Sequence, residues 1–142
     1  MRNNKGITFF KSFLAFVLLY GCCLSCKADT IDYWHVKYNN KLILEYTGSN
    51  ANRLVTINLA GVKKADRITV NYGRDTPCSD CATELVFEDE KKKQYSIAKG
   101  KGTFNPLSFF ISDIKKLSGK YFQVYYREGR QSKLLLFSIK LT

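Results

Sequence analysis

The sequence predicts a mainly β protein: an antiparallel β-sandwich or partly open barrel of about eight strands, with one short helix near residues 106–118. Three observations predict it. From residue 33 onward the apolar side chains mostly recur at every second position, the period of a strand with one buried face. Runs of this kind return about every dozen residues, separated by turns rich in Asn, Gly and Ser. Aromatic residues make up 14% of the chain, and because Tyr and Phe suit a pleated, half-buried surface they are core residues first and binding residues second.

Taken in order, Trp34, Val36 and Tyr38 share one face of the first strand, and Tyr33, His35 and Lys37 share the other. Asn39-Asn40 tolerates positive φ, so a tight hairpin returns the chain with Leu42, Leu44 and Tyr46 on the apolar face. Gly48-Ser49-Asn50-Ala51-Asn52 is a loop by composition. Further strands carry Val55, Ile57 and Leu59, then Ile68, Val70 and Tyr72, then Leu85 and Phe87, with a weaker one over 94–97. The period changes at Asn105, an N-cap residue before Pro106, where Leu107, Phe110, Ile111 and Ile114 follow helical spacing and Gly119 closes the segment. Strand period returns over 121–126 and 134–141, with Glu128-Gly129-Arg130-Gln131-Ser132 as the turn between them.

The amino terminus has another character. Arg2, Lys5 and Lys11 lead into a run over 12–26 without a charged residue, which reads as the n-region and h-region of a secretory signal. Its apolar part, 13–24, is shorter than the roughly 18–20 residues that a membrane-spanning helix needs. Two endings compete. Cleavage after Ala28 would place the small residues Cys26 and Ala28 at the cleavage site. Alternatively the segment resembles a bacterial lipoprotein signal, which implies lipidation of Cys22 or Cys26 and membrane anchoring through that cysteine; Tyr20 departs from the small residue usual before Cys22. The chain thus divides into a signal segment, 1–28, and a single β-sandwich-like domain, 29–142, large enough for one core. An exported protein of the periplasm, outer envelope or extracellular space is expected.

The whole chain carries a formal charge of +11; without Arg2, Lys5, Lys11 and Lys27 the domain carries +7. That balance favours anionic surfaces. The charges are dispersed, however, and the one dense run, Lys91-Lys92-Lys93, follows Glu88-Asp89-Glu90 and is cancelled locally. No specific nucleic-acid partner is expected.

Little in the domain suits catalysis. His35 is the chain's single histidine, it falls on the outward side of its strand, and Asp32 has the opposite parity, so no triad assembles around it. Two cysteines and one histidine fall short of a four-ligand zinc site, and neither a metal nor another cofactor is expected. Gly100-Lys101-Gly102-Thr103 lacks the spacing of a phosphate loop.

The sharpest local feature is the C-x-x-C of Pro77-Cys78-Ser79-Asp80-Cys81. A thioredoxin-like site would set the first cysteine at a helix start, whereas Thr83-Glu84-Leu85-Val86-Phe87 alternates like a strand. A Cys78–Cys81 disulfide of structural purpose is the expectation in an oxidising compartment. For the function, the sequence leads to a non-enzymatic exported module that binds a protein or glycan, using the outward Tyr33 and His35 or the loops near Asn50 and Cys78. A thiol-redox protein using the C-x-x-C pair and a hydrolase with an unrecognised site are the alternatives.

Overall fold

A computed structural model describes residues 32–47 and 53–142; the 1–28 segment with Cys22 and Cys26, and the loop residue Asn50, lie outside the described residues. The described strands are β1 (Tyr33–Tyr38), β2 (Lys41–Thr47), β3 (Arg53–Ile57), β4 (Arg67–Gly73), β5 (Ala82–Asp89), β6 (Gln94–Lys101), β7 (Leu107–Phe110), β8 (Tyr121–Glu128) and β9 (Leu134–Leu141). A short helix, α1 (Ile111–Lys115), follows β7, and a 3-10 turn at Leu59–Gly61 follows β3. The strands form a four-stranded sheet ordered β2-β1-β4-β7 and a five-stranded sheet ordered β3-β9-β8-β5-β6. This is the mainly β, sandwich-like architecture that the periodicity predicts, and not a closed barrel. One pairing departs from the antiparallel rule: β3 runs parallel to β9.

Alternation builds the core. Trp34, Val36, Ile68, Val70 and Tyr72 face inward from the four-stranded sheet, and Leu85, Phe87, Phe122, Val124 and Tyr126 meet them from the other. Trp34, 1% exposed, stacks on Tyr72 with ring centroids 3.9 Å apart and planes 9° apart, and Tyr126 meets it edge-on at 5.2 Å. Such stacked and edge-to-face contacts add to the area each ring buries.

The first hairpin forms as expected, with Asn39 and Asn40 both at positive φ (47° and 70°), the pairing that a type I′ turn demands. Asn39 also joins the turn to β4: its side-chain Nδ2 donates to Asp66 Oδ1 at 2.8 Å, and its side-chain Oδ1 accepts the Arg67 N–H at 3.0 Å. The apolar face of β2 differs from the expected one. A bulge between Val36 and Lys37 shifts the register, so Leu44 lies opposite Val36 but Leu42 lies opposite Lys37 on the outer face, where it is 45% exposed.

The segment 106–118 also differs. Leu107 and Phe109 are buried and pair with Val70 and Ile68, so the chain runs as strand β7 before it turns into α1. Leu107-Ser108-Phe109-Phe110 satisfies both periods, and the ladder offered by β4 decides between them. The N-cap is therefore Phe110, not Asn105. Gly119 lies beyond the helix end, where a Cβ would stand 3.1 Å from the Phe122 ring. β6 is longer than 94–97, and its Gly100 lets Leu107 of β7 approach, closing one side of the sandwich. On the opposite side β2 and β3 are the edge strands, with a cleft of about 400 Å³ between them lined by Ile43, Leu44, Leu54 and Val55.

Candidate functional site: two clefts sharing Phe104

The outer face of the four-stranded sheet presents Tyr33, His35 and Lys37 from β1 and Asn71 from β4, because these residues have the parity opposite to the core set. Together with Tyr72 and Phe104 they line a cleft of about 350 Å³. Tyr33 and Phe104 are 39% and 53% exposed over it. The Tyr33 and His35 rings lie 5.3 Å apart, and His35 Nε2 is 3.2 Å from Glu45 Oε1 across the β1–β2 ladder. Asp32 is engaged elsewhere, at the Tyr72 hydroxyl, which burial first and this carboxylate second push up to about 12.

Tyr33 and His35 thus come together as their shared parity predicts. Phe104 escapes a reading by periodicity. It belongs to no strand, and its one sequence signal is a large apolar residue between Thr103 and Asn105 in a polar loop.

A second cleft, of about 260 Å³, is lined by Pro77, Cys78, Ser79, Gly102, Thr103, Phe104 and Asn105. Phe104 lines both. Cys78 and Cys81 lie at disulfide distance with Cα atoms 5.8 Å apart, and both are half-buried. The β6–β7 connection straps their loop in place. Cys78 N–H donates to Thr103 Oγ1 at 2.9 Å, Thr103 N–H returns to the Cys78 carbonyl at 2.8 Å, and Gly102 N–H reaches the Cys81 carbonyl at 2.8 Å. Inside the loop, Cys81 N–H donates to Cys78 Sγ at 2.9 Å.

Behind this loop stands Glu128, 5% exposed at the end of β8. Its carboxylate accepts from the Thr103 hydroxyl at 3.2 Å and the Tyr126 hydroxyl at 3.4 Å, and it pairs with Arg74 at 3.3 Å. Burial alone would lower the Arg74 pKa; its bond to Tyr72 and the Glu128 charge outweigh that and hold it above the usual value. The ligating atoms of Cys78, Cys81 and Glu128 fall within 4.8 Å of one another, but sulfurs joined to each other offer no thiolate to a cation, and Arg74 already neutralises the carboxylate.

No protein-family model, curated protein or solved structure matches the chain. Among the described residues no helix is long and apolar enough to cross a membrane.

Proposed function

We propose that the protein is an exported, non-enzymatic module that binds a protein or glycan partner on the outer face of its four-stranded sheet, around Tyr33, His35 and Phe104. The observation that carries this reading is the 350 Å³ cleft on that face, rimmed by two exposed aromatic rings and floored by polar residues of adjacent strands. A few convergent polar groups beside apolar surface are the usual make-up of a ligand site. Aromatic side chains held by strands supply contact area at little entropic cost. Lys37 in the cleft and the +7 balance of residues 29–142 favour a partner with negative charge. The amino-terminal segment supports export, and a lipidated Cys22 or Cys26 would hold the module at a membrane surface.

The test is affinity capture from cell-envelope extracts with immobilised protein. Wild type is expected to enrich a protein or polysaccharide above a bead control, and the Tyr33→Ala, Phe104→Ala double variant to lose it. Enrichment of nothing by the wild type, or equal capture by the double variant, overturns this function or this face respectively.

A further inference from the structure

We propose that Cys78 and Cys81 form an exchangeable redox pair, and that the partner held across Phe104 is a polypeptide whose cysteines react with Cys78. This goes beyond the binding reading by adding an exchange step at the Phe104 face, and it rests on that reading for the class of partner.

The sequence alone favours a structural purpose for this disulfide, but the surroundings leave that purpose little to do. The loop is already fastened by the bonds from Cys78 to Thr103 and from Gly102 to Cys81. A bond closing so short a loop removes little chain entropy from the unfolded state.

The two sulfurs are not equivalent. Cys78 lines the 260 Å³ cleft and Cys81 does not, so the cleft leads an incoming group to Cys78. Cys78 Sγ also receives the Cys81 N–H at 2.9 Å, a donor that stabilises a thiolate there once the bond opens. Cys81 is then the leaving sulfur when a thiolate attacks Cys78, and the resolving sulfur in the reverse direction.

The exchange balances without further reagents. A thiolate of the partner attacks Cys78 Sγ, forming a mixed disulfide as the Cys78–Cys81 bond breaks and Cys81 leaves with the electron pair. The partner's second thiolate attacks its own half of the mixed disulfide and releases Cys78. The partner dithiol is oxidised to a disulfide by two electrons, Cys78 and Cys81 are reduced, and the protons lost by the partner thiols reappear on the two cysteines. Pro77 and the half-exposed Phe104 give the cleft an apolar wall, and Phe104 carries it into the Tyr33–His35 cleft. A surface extended in this way fits a cysteine flanked by apolar residues in a chain better than it fits a small thiol.

Two measurements test the proposal. Folded full-length exported protein is first incubated with dithiothreitol, then with oxidised glutathione, and its thiols are counted by alkylation. Reversible appearance and loss of thiols at Cys78 and Cys81 is expected; a pair that stays closed until the protein unfolds overturns the redox assignment and leaves the binding face standing. Cys81→Ser and Cys78→Ser variants are then timed against a disulfide-linked probe peptide with leucine beside its cysteine, and against oxidised glutathione. Free Cys78 is expected to react about tenfold faster than free Cys81, and Phe104→Ala to lower the peptide-to-glutathione rate ratio by about tenfold. Equal rates at the two cysteines overturn the assignment of Cys78. A reversible pair whose rate ratio ignores Phe104 overturns the polypeptide partner and, with it, the Phe104 part of the binding face.

Discussion

The ring of Tyr33 occupies the space that a side chain on Gly73 would need. The two residues are directly paired across β1 and β4, and a Cβ built on Gly73 overlaps the tip of the Tyr33 phenol. A strand glycine covered by a cross-strand aromatic recovers the packing that its missing side chain forfeits. Here it also sets the position of the ring at the rim of the outer cleft. Because the overlap is confined to the far end of a side chain, Gly73→Ala should swing the ring aside and leave the strands in place. The expected stability loss is under about 1 kcal/mol by chemical denaturation. Partner capture should nonetheless fall to that of Tyr33→Ala. Capture equal to wild type would show that the cleft does not use Tyr33 where Gly73 puts it.

Trp34→Ala should be among the most damaging single changes. The indole is 1% exposed, stacked on Tyr72 and touched by Tyr126 from the facing sheet, so its removal opens a cavity between the two layers. A loss of about 3–5 kcal/mol is expected. Far-UV circular dichroism during urea unfolding reads it without relying on tryptophan emission, and an unchanged midpoint would contradict the inward placement of the ring.

The residues that the sequence placed correctly are those whose neighbours preserve the strand period. Trp34 and Val36 on β1, and Ile68, Val70 and Tyr72 on β4, are buried as alternation predicts. Alternation failed where pairing partners intervene. The bulge at Ile43 of β2 turns Leu42 outward, and the ladder with β4 claims Leu107 and Phe109 before the helix can start. Neither a bulge nor a partner strand leaves a mark on local periodicity. The same limit applies to the site. Tyr33 and His35 share a strand, so their meeting was legible; Phe104 and Cys78 are brought together by the β6–β7 connection folding over the loop before β5, a long-range contact that no spacing encodes.

Gly102 should resist substitution. Its φ of +81° lies where side chains are disfavoured, and a Cβ there would stand 2.9 Å from the Ser79 carbonyl oxygen. A backbone oxygen cannot swing away as the Tyr33 ring can. Gly102→Ala should therefore cost about 1–3 kcal/mol. It should also weaken the strap over the cysteine loop, visible as faster hydrogen exchange at the Gly102-position and Thr103 amides, which bond to Cys81 and Cys78. Exchange as slow as in wild type would mean that the strap does not depend on close approach at this glycine.

The acid response of the fold should carry the signature of Glu88. This residue is 6% exposed although it lies on the outer side of β5, because Lys133, Lys92 and Gln94 cover it. The hydrogen bond from Lys133 is the largest influence on its carboxyl and burial opposes it; with Lys92 and Gln94 added, the pKa is held down at about 2, from an ordinary 4.5. Lys133 is itself positioned, its ammonium 4.2 Å above the Tyr125 ring. Since the folded state holds the proton less tightly than the unfolded chain, the unfolded state binds more protons between these values and stability falls as pH falls. The contribution is fully present above about pH 4.5, declines through the interval, and is gone below about pH 2. Asp66, Glu84 and Asp89 are also held below their usual range, so the total slope belongs to several groups and the difference between variants isolates one. Glu88→Gln preserves shape and removes the titration. Urea midpoints measured from neutral pH downward should show the variant less stable than wild type near neutrality, with the two curves converging as the acid limit is approached. Parallel curves would mean that Lys133 and Lys92 do not stabilise the charged form of Glu88.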